Sequence, residues 1–93
     1  MFDITLNKNE IKLIGRFDAS QVKKAKSVFG EVQSSAIVDF KELQYISSAG
    51  LGVLLESQKL LKDKGYNLKL VNMNDHIRDV FEWAGFNLIF EIE

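Results

Sequence analysis

The feature that most constrains this 93-residue chain is that its hydrophobic pattern changes period several times along its length. Steps of two mark half-buried strands, steps of three and four mark one face of a helix, and an alternation of the two requires helices packed on a sheet. Phe2, Ile4 and Leu6 alternate with Asp3 and Thr5. Asn7-Lys8-Asn9 then interrupts, and Ile11 to Ile14 resumes an extended pattern that Gly15 is expected to end, which predicts a β-hairpin. Between Ala19 and Phe29, Val22, Ala25, Val28 and Phe29 recur at helical spacing, with Lys23, Lys24 and Lys26 on the other side and Gly30 as a stop signal. Ala36-Ile37-Val38-Asp39-Phe40 is nearly continuous in apolar character and is expected to be the central strand, covered on both faces. A second helix is predicted from Ser48 to Lys64, its apolar arc made by Leu51, Val53, Leu54, Leu55, Leu60 and Leu61. Gly52, Glu56, Lys59 and Asp63 face solvent, and Gly65 stands just past its end. Leu68 and Leu70 form the next strand. Asn74 or Asp75 caps a third helix carrying Ile77, Val80, Phe81 and Ala84, which Gly85 ends, and Leu88, Phe90 and Ile92 form a closing strand. The order β-β-α-β-α-β-α-β predicts an α/β fold with a mixed sheet, the strands after the hairpin running parallel through right-handed crossovers.

Composition narrows the function. One chain of this size forms a single core, so residues 1–93 are expected to be one domain, without linker or repeat. Twelve basic residues stand against 13 acidic ones, which leaves no surplus of positive charge for nucleic-acid phosphates or an anionic membrane surface. With no cysteine and a single histidine, His76, disulfides, thiol nucleophiles and zinc sites are not expected. The apolar runs fall far short of the roughly 20 residues a membrane span needs, and Met1-Phe2-Asp3 resembles no targeting signal, so the expectation is a cytoplasmic protein.

Catalytic patterns are scarce. No serine stands in a Gly-x-Ser-x-Gly turn, and no phosphate-binding Walker sequence occurs. Gly50-Leu51-Gly52 does open a helix after a strand, but Leu55 stands where a dinucleotide fingerprint needs its third glycine. Asp39 raises the question of a phosphoacceptor aspartate, yet companion acidic residues after the first strand are lacking, and a carboxylate accepting local hydrogen bonds is the simpler reading. No catalytic residue, cofactor or metal is therefore expected. The informative stretch runs from Asp39 to Leu54. Ser47 and Ser48 arrive at a helix start and are followed by Ala49, Gly50 and Gly52, although glycine in a helix costs up to about 1 kcal/mol relative to alanine. Either serine can serve as the N-cap, and Gly50 can let the helix lie close on the sheet. Gly52 falls on the outer side of the helix, where Ser48, Gly52, Glu56 and Lys59 make a surface flat enough at its start for another protein to dock.

The segment Val38-Asp39 to Leu54 resembles the signature of the STAS domain family, the fold of bacterial anti-sigma factor antagonists, in which a strand and loop lead to an Asp-Ser-Ser/Ala-Gly-Leu-Gly type of motif at a helix start. The resemblance covers nearly the whole chain. Gly15-Arg16-Phe17-Asp18 is similar to the family's element after the second strand, and the third helix with Gly85-Phe86 matches the turn before the last strand. By position, the resemblance makes Ser48 the serine that a partner kinase, itself the anti-sigma factor, phosphorylates, and makes Asp18 the acidic residue lying near it. Asp18, Ser47, Ser48, Gly50, Gly52, Glu56 and Lys59 become the expected partner-binding residues. The implied partners are an anti-sigma factor acting as serine kinase and, in addition, a serine phosphatase. The family's usual aspartate before the phosphoserine is Ser47 here, which makes Ser47 a competing acceptor. The chain stops at Glu93, near where many relatives add a further helix, so a minimal member or a truncated chain is expected. A noncatalytic partner-switching regulator is the leading reading. The alternative is an unphosphorylated STAS subunit of a phospholipid or anion transport machine, and a third is a small-molecule or nucleotide sensor.

Overall fold

The computed structural model describes all residues from Met1 to Glu93. Strands β1 (Phe2–Asn7) and β2 (Glu10–Phe17) form the hairpin, and a 3₁₀ turn (Ala19–Gln21) leads into α1 (Val22–Phe29). Strand β3 (Ala36–Ile46), α2 (Ser48–Asp63), β4 (Leu68–Val71) and α3 (Asp75–Trp83) follow, and a second 3₁₀ turn (Phe86–Leu88) precedes β5 (Glu91–Ile92). The expected element order is the observed one. The five strands lie in the sheet in chain order, with β1 antiparallel to β2 and every later pair parallel.

That sequential order decides where the helices go. Right-handed crossovers that always step in the same direction put every helix on the same side of the sheet. Ile4, Ile11, Leu13, Val38, Phe40, Leu68 and Leu70 from the sheet join Ala25, Phe29, Leu51, Val53, Leu54, Leu61, Ile77 and Phe81 from the helices in one buried cluster. The opposite face is open to solvent and carries ion pairs, Lys12 with Glu42 at 2.7 Å and Lys69 with Glu93 at 2.9 Å. The expectation that β3 is covered on both faces is therefore corrected: Ala36, Val38 and Phe40 are buried while Ile37, between them, is 40% exposed. At the core, Phe81 of α3 packs edge-on against Phe40, 5.6 Å between ring centres, and against Phe86 at 5.7 Å.

Four further details differ from the sequence reading. Gly15 does not end β2; it lies inside the strand at φ +86°, at a register shift against β3, and a side chain there would strike the carbonyl oxygen of Met1. β3 runs on to Ile46 because two register shifts against β2, one between Asp39 and Glu42 and one between Leu43 and Tyr45, re-phase the pattern so that first Leu43 and then Ile46 also point into the core. Asp39 accepts the Lys41 amide (2.9 Å) and the Asn72 side-chain amide (3.0 Å) there, a local structural role. Leu60 is 58% exposed and Leu88 87% exposed, so neither belongs to the core, and the closing strand shrinks to two residues behind a 3₁₀ turn. In their place Gln58 is buried. Its side-chain amide donates to Asn67 Oδ1 and the Ile89 carbonyl, and its oxygen accepts the Leu68 amide at 2.9 Å, tying α2 to β4 and the C-terminal segment. No helix is long and apolar enough to cross a membrane.

Candidate functional site

The parallel pairing of β2 and β3 sets Phe17 beside Ile46, so the residues that follow them, Asp18 on one side and Ser47-Ser48 on the other, leave the sheet together. A backbone hydrogen bond from the Ser47 amide to the Phe17 carbonyl, 2.9 Å, fixes the two exits to each other. Gly50 completes the junction. A Cβ at this position would lie 2.9 Å from Ile46 Cγ1 and 3.1 and 3.2 Å from Phe17 Cγ and the Phe17 carbonyl oxygen, so only a glycine lets the first turn of α2 press so closely on the strand ends. Gly50 is thereby a buried packing residue, which corrects its expected place on the docking surface.

The choice between the two serines as cap is also resolved. Ser47 has extended backbone geometry, φ −88° and ψ 170°, and its Oγ accepts the Gly50 amide at 3.2 Å, making it the N-cap of α2. Ser48 is the first helical residue and is exposed. One turn on, Gly52 is exposed, and a Cβ there would meet no atom within 4 Å. Glu56 and Lys59 continue this outer stripe of α2, Glu56 lying 3.8 Å from Lys26 of α1 in an exposed ion pair. Four of the seven expected docking residues, Ser48, Gly52, Glu56 and Lys59, thus share one exposed face. The half-buried Ser47 and Asp18 sit at its end, and Gly50 lies beneath it.

Asp18 caps the 3₁₀ turn. Its Oδ1 accepts the Ser20 amide at 3.0 Å and the Ser20 hydroxyl at 2.6 Å, while Gln21 Oε1 accepts the Asp18 amide at 2.8 Å, closing a reciprocal capping box. The Ser20 hydroxyl, then its amide, hold the Asp18 carboxyl below the usual carboxylate range, with Arg16 adding to the effect. Sequence reasoning missed what Arg16 does. Its guanidinium stacks on the ring of Tyr45, 4.4 Å from the centroid, on the open sheet face just before both exits. Only the cross-strand register, which places Arg16 opposite Tyr45, reveals that pairing. The site holds carboxylate, hydroxyl and backbone amides but no group of His, Cys, Asp and Glu side chains that could hold a metal ion.

The family described as "Mlab, STAS domain" matches residues 1–91. This chain belongs to the STAS domain family. The STAS domain is similar to the anti-sigma-B factor antagonist of Bacillus subtilis, 30% identical over 95 residues that cover 97% of this chain and 87% of that protein. It also matches BtrV of Bordetella bronchiseptica, 43% identical over 56 residues, 60% of this chain and 48% of BtrV, so it spans about half the length of that relative. Among solved structures, the Bacillus cell fate determinant SpoIIAA in its phosphorylated form superposes with a TM-score of 0.72 at 18% identity, over 100% of this chain and 91% of that one. Unphosphorylated SpoIIAA, an anti-sigma factor antagonist, gives a TM-score of 0.68 at 21% identity, over 89% and 83% of the two chains. At these identities the structural likeness establishes the fold.

Proposed function

We propose that this STAS domain is a noncatalytic anti-sigma factor antagonist that works by partner switching. Unphosphorylated, it binds an anti-sigma factor that is also a serine kinase; phosphorylation of Ser48 ends that interaction, and a serine phosphatase restores it. The observation that carries the reading is the division of labour at the start of α2: Ser47 is engaged as the cap, which leaves the neighbouring Ser48 exposed at the first helical position, beside the open surface over Gly52. The name of the relative in Bacillus subtilis and the fold shared with SpoIIAA support it. The departure at Ser47 fits the same reading, because serine and aspartate are comparable N-caps and the exchange keeps the cap while removing a fixed charge.

A phosphate on Ser48 would sit at a helix N-terminus, where the macrodipole and unsatisfied amides favour negative charge by about 0.3 to 1 kcal/mol, so the modified domain stays folded. The same phosphate brings a charge of about −1.5 to −2 to the start of α2, where the exposed face presents the small uncharged Ser48 and Gly52 before the Glu56 and Lys59 of the later turns. A partner packed on that surface must bury or repel the charge, and a penalty of about 3 kcal/mol weakens binding more than a hundredfold. Incubation with the cognate switch kinase and ATP tests the assignment. One phosphate should be added and mapped to Ser48, and it should be lost in Ser48→Ala; mapping to Ser47 defeats the assignment.

A further inference from the structure

The two edges of the sheet are unequal: β5 has two residues, whereas β1 presents six. The Arg16 amide donates to the Met1 carbonyl at 2.9 Å, and the register from Phe2↔Gly15 to Asn7↔Glu10 continues from that pair. In an antiparallel ladder hydrogen-bonded and non-bonded pairs alternate, so Asp3, Thr5 and Asn7 bond to β2 while the amides and carbonyls of Phe2, Ile4 and Leu6 point away from the sheet. Such a row is a template for another strand. It is also self-complementary. In a two-fold pairing centred on Ile4, Phe2 faces Leu6 and Asp3 faces Thr5, with no like charges opposed, and all three outward residues take part.

The central position of that pairing is occupied from within the chain. The Ile4 amide donates to Asp3 Oδ1 at 2.9 Å, and the same oxygen takes Lys24 Nζ of α1 at 3.3 Å. Asp3 stands on the open face of the sheet, opposite in phase to the buried Ile4, while α1 packs on the covered face, so the Lys24 side chain reaches around the edge of β1 to meet it. We infer that Asp3 and Lys24 form a latch that closes the β1 edge against a second copy of this chain, and that releasing the latch opens an isologous β1–β1 interface joining two sheets into one of ten strands. The inference is independent of the partner-switching reading, since neither Asp3 nor Lys24 is among the residues of the α2 face or its end at Ser47 and Asp18.

Sedimentation velocity over a range of protein concentrations tests it. Asp3→Ala should raise the dimer fraction at least tenfold over wild type at the same concentration. Lys24→Ala, which leaves the Asp3 hydrogen bond in place, should give a smaller rise. Adding Leu6→Pro to Asp3→Ala removes an outward amide without touching the β1–β2 ladder and should restore wild-type behaviour. Circular dichroism establishes that each variant is folded. Equal association of wild type and Asp3→Ala, or dimers that survive Leu6→Pro, would overturn the latch.

Discussion

Gly50 and Gly52 stand two residues apart in the first turns of α2 and do opposite things. Over Gly50 there is no room: Phe17 and Ile46 lie where a methyl group would go. Over Gly52 there is nothing within 4 Å. The adjacent serines divide the same way, Ser47 tied to the Gly50 amide and Ser48 exposed. One short run of small residues therefore serves the fold on its inner side and leaves a bare surface on its outer side. Composition alone does not separate these two uses; only the direction of each residue does.

The sharpest way to break the comparison is to enlarge both glycines. Gly52→Arg should leave the melting temperature unchanged or slightly raised, because arginine is the better helix former and an exposed site accepts bulk, while affinity for the switch kinase falls more than a hundredfold. Gly50→Ala should do the reverse, destabilising the domain by about 1 to 3 kcal/mol through overpacking against Phe17 and Ile46, as read by urea denaturation. Equal losses of stability in the two variants would abolish the distinction. Ser47→Ala sharpens it on the serine side, with a loss of about 1 kcal/mol from the missing cap and no loss of the phosphorylation site.

The smallest expected effect concerns Asp18, and its sign follows from its depressed pKa. A carboxyl held below its unfolded value by the Ser20 hydroxyl and amide stabilises the fold above that unfolded value, near 3.8, and the contribution fades as pH falls through the lower folded value. Asp18→Asn, which keeps a capping side chain but loses the charge, should melt slightly below wild type at pH 7, and the two curves should converge in the acid range below pH 3.8. Measured alongside, the rate of phosphoryl transfer to Ser48 tells whether Asp18 does more than cap: a rate slowed by more than the small loss of stability accounts for assigns it to the phosphoacceptor site, and an unchanged rate with the lowered melting temperature leaves it a cap.

The order of elements and the mixed sheet were legible in the sequence because hydrophobic period is a local property. Whatever depended on neighbours across the sheet was not. Ala36 to Phe40 looks like a strand buried on both sides, but the sequential strand order sends every crossover helix to one face and leaves Ile37 in solvent. Gly15 looks like a strand end because glycine is a turn signal in sequence, whereas here it sits within β2, at positive φ beside the Met1 carbonyl. Leu60 and Gln58 exchange the places their chemistry suggests, since Gln58 finds partners in Asn67, Leu68 and Ile89 that no window around it contains. At the site, the outward direction of Ser48, Gly52, Glu56 and Lys59 followed from a helical wheel. The cap at Ser47, the burial of Gly50 and the stacking of Arg16 on Tyr45 required the register of β2 against β3.

Whether charge at Ser48 is the switch is tested most directly by comparing Ser48→Asp with Ser48→Asn in calorimetric titrations against the cognate switch kinase. The two side chains have nearly the same size, and both are tolerated at a helix start. The charge-switch account predicts that the Asp variant binds at least tenfold more weakly than the Asn variant while both fold as wild type does. Equal affinities would contradict it.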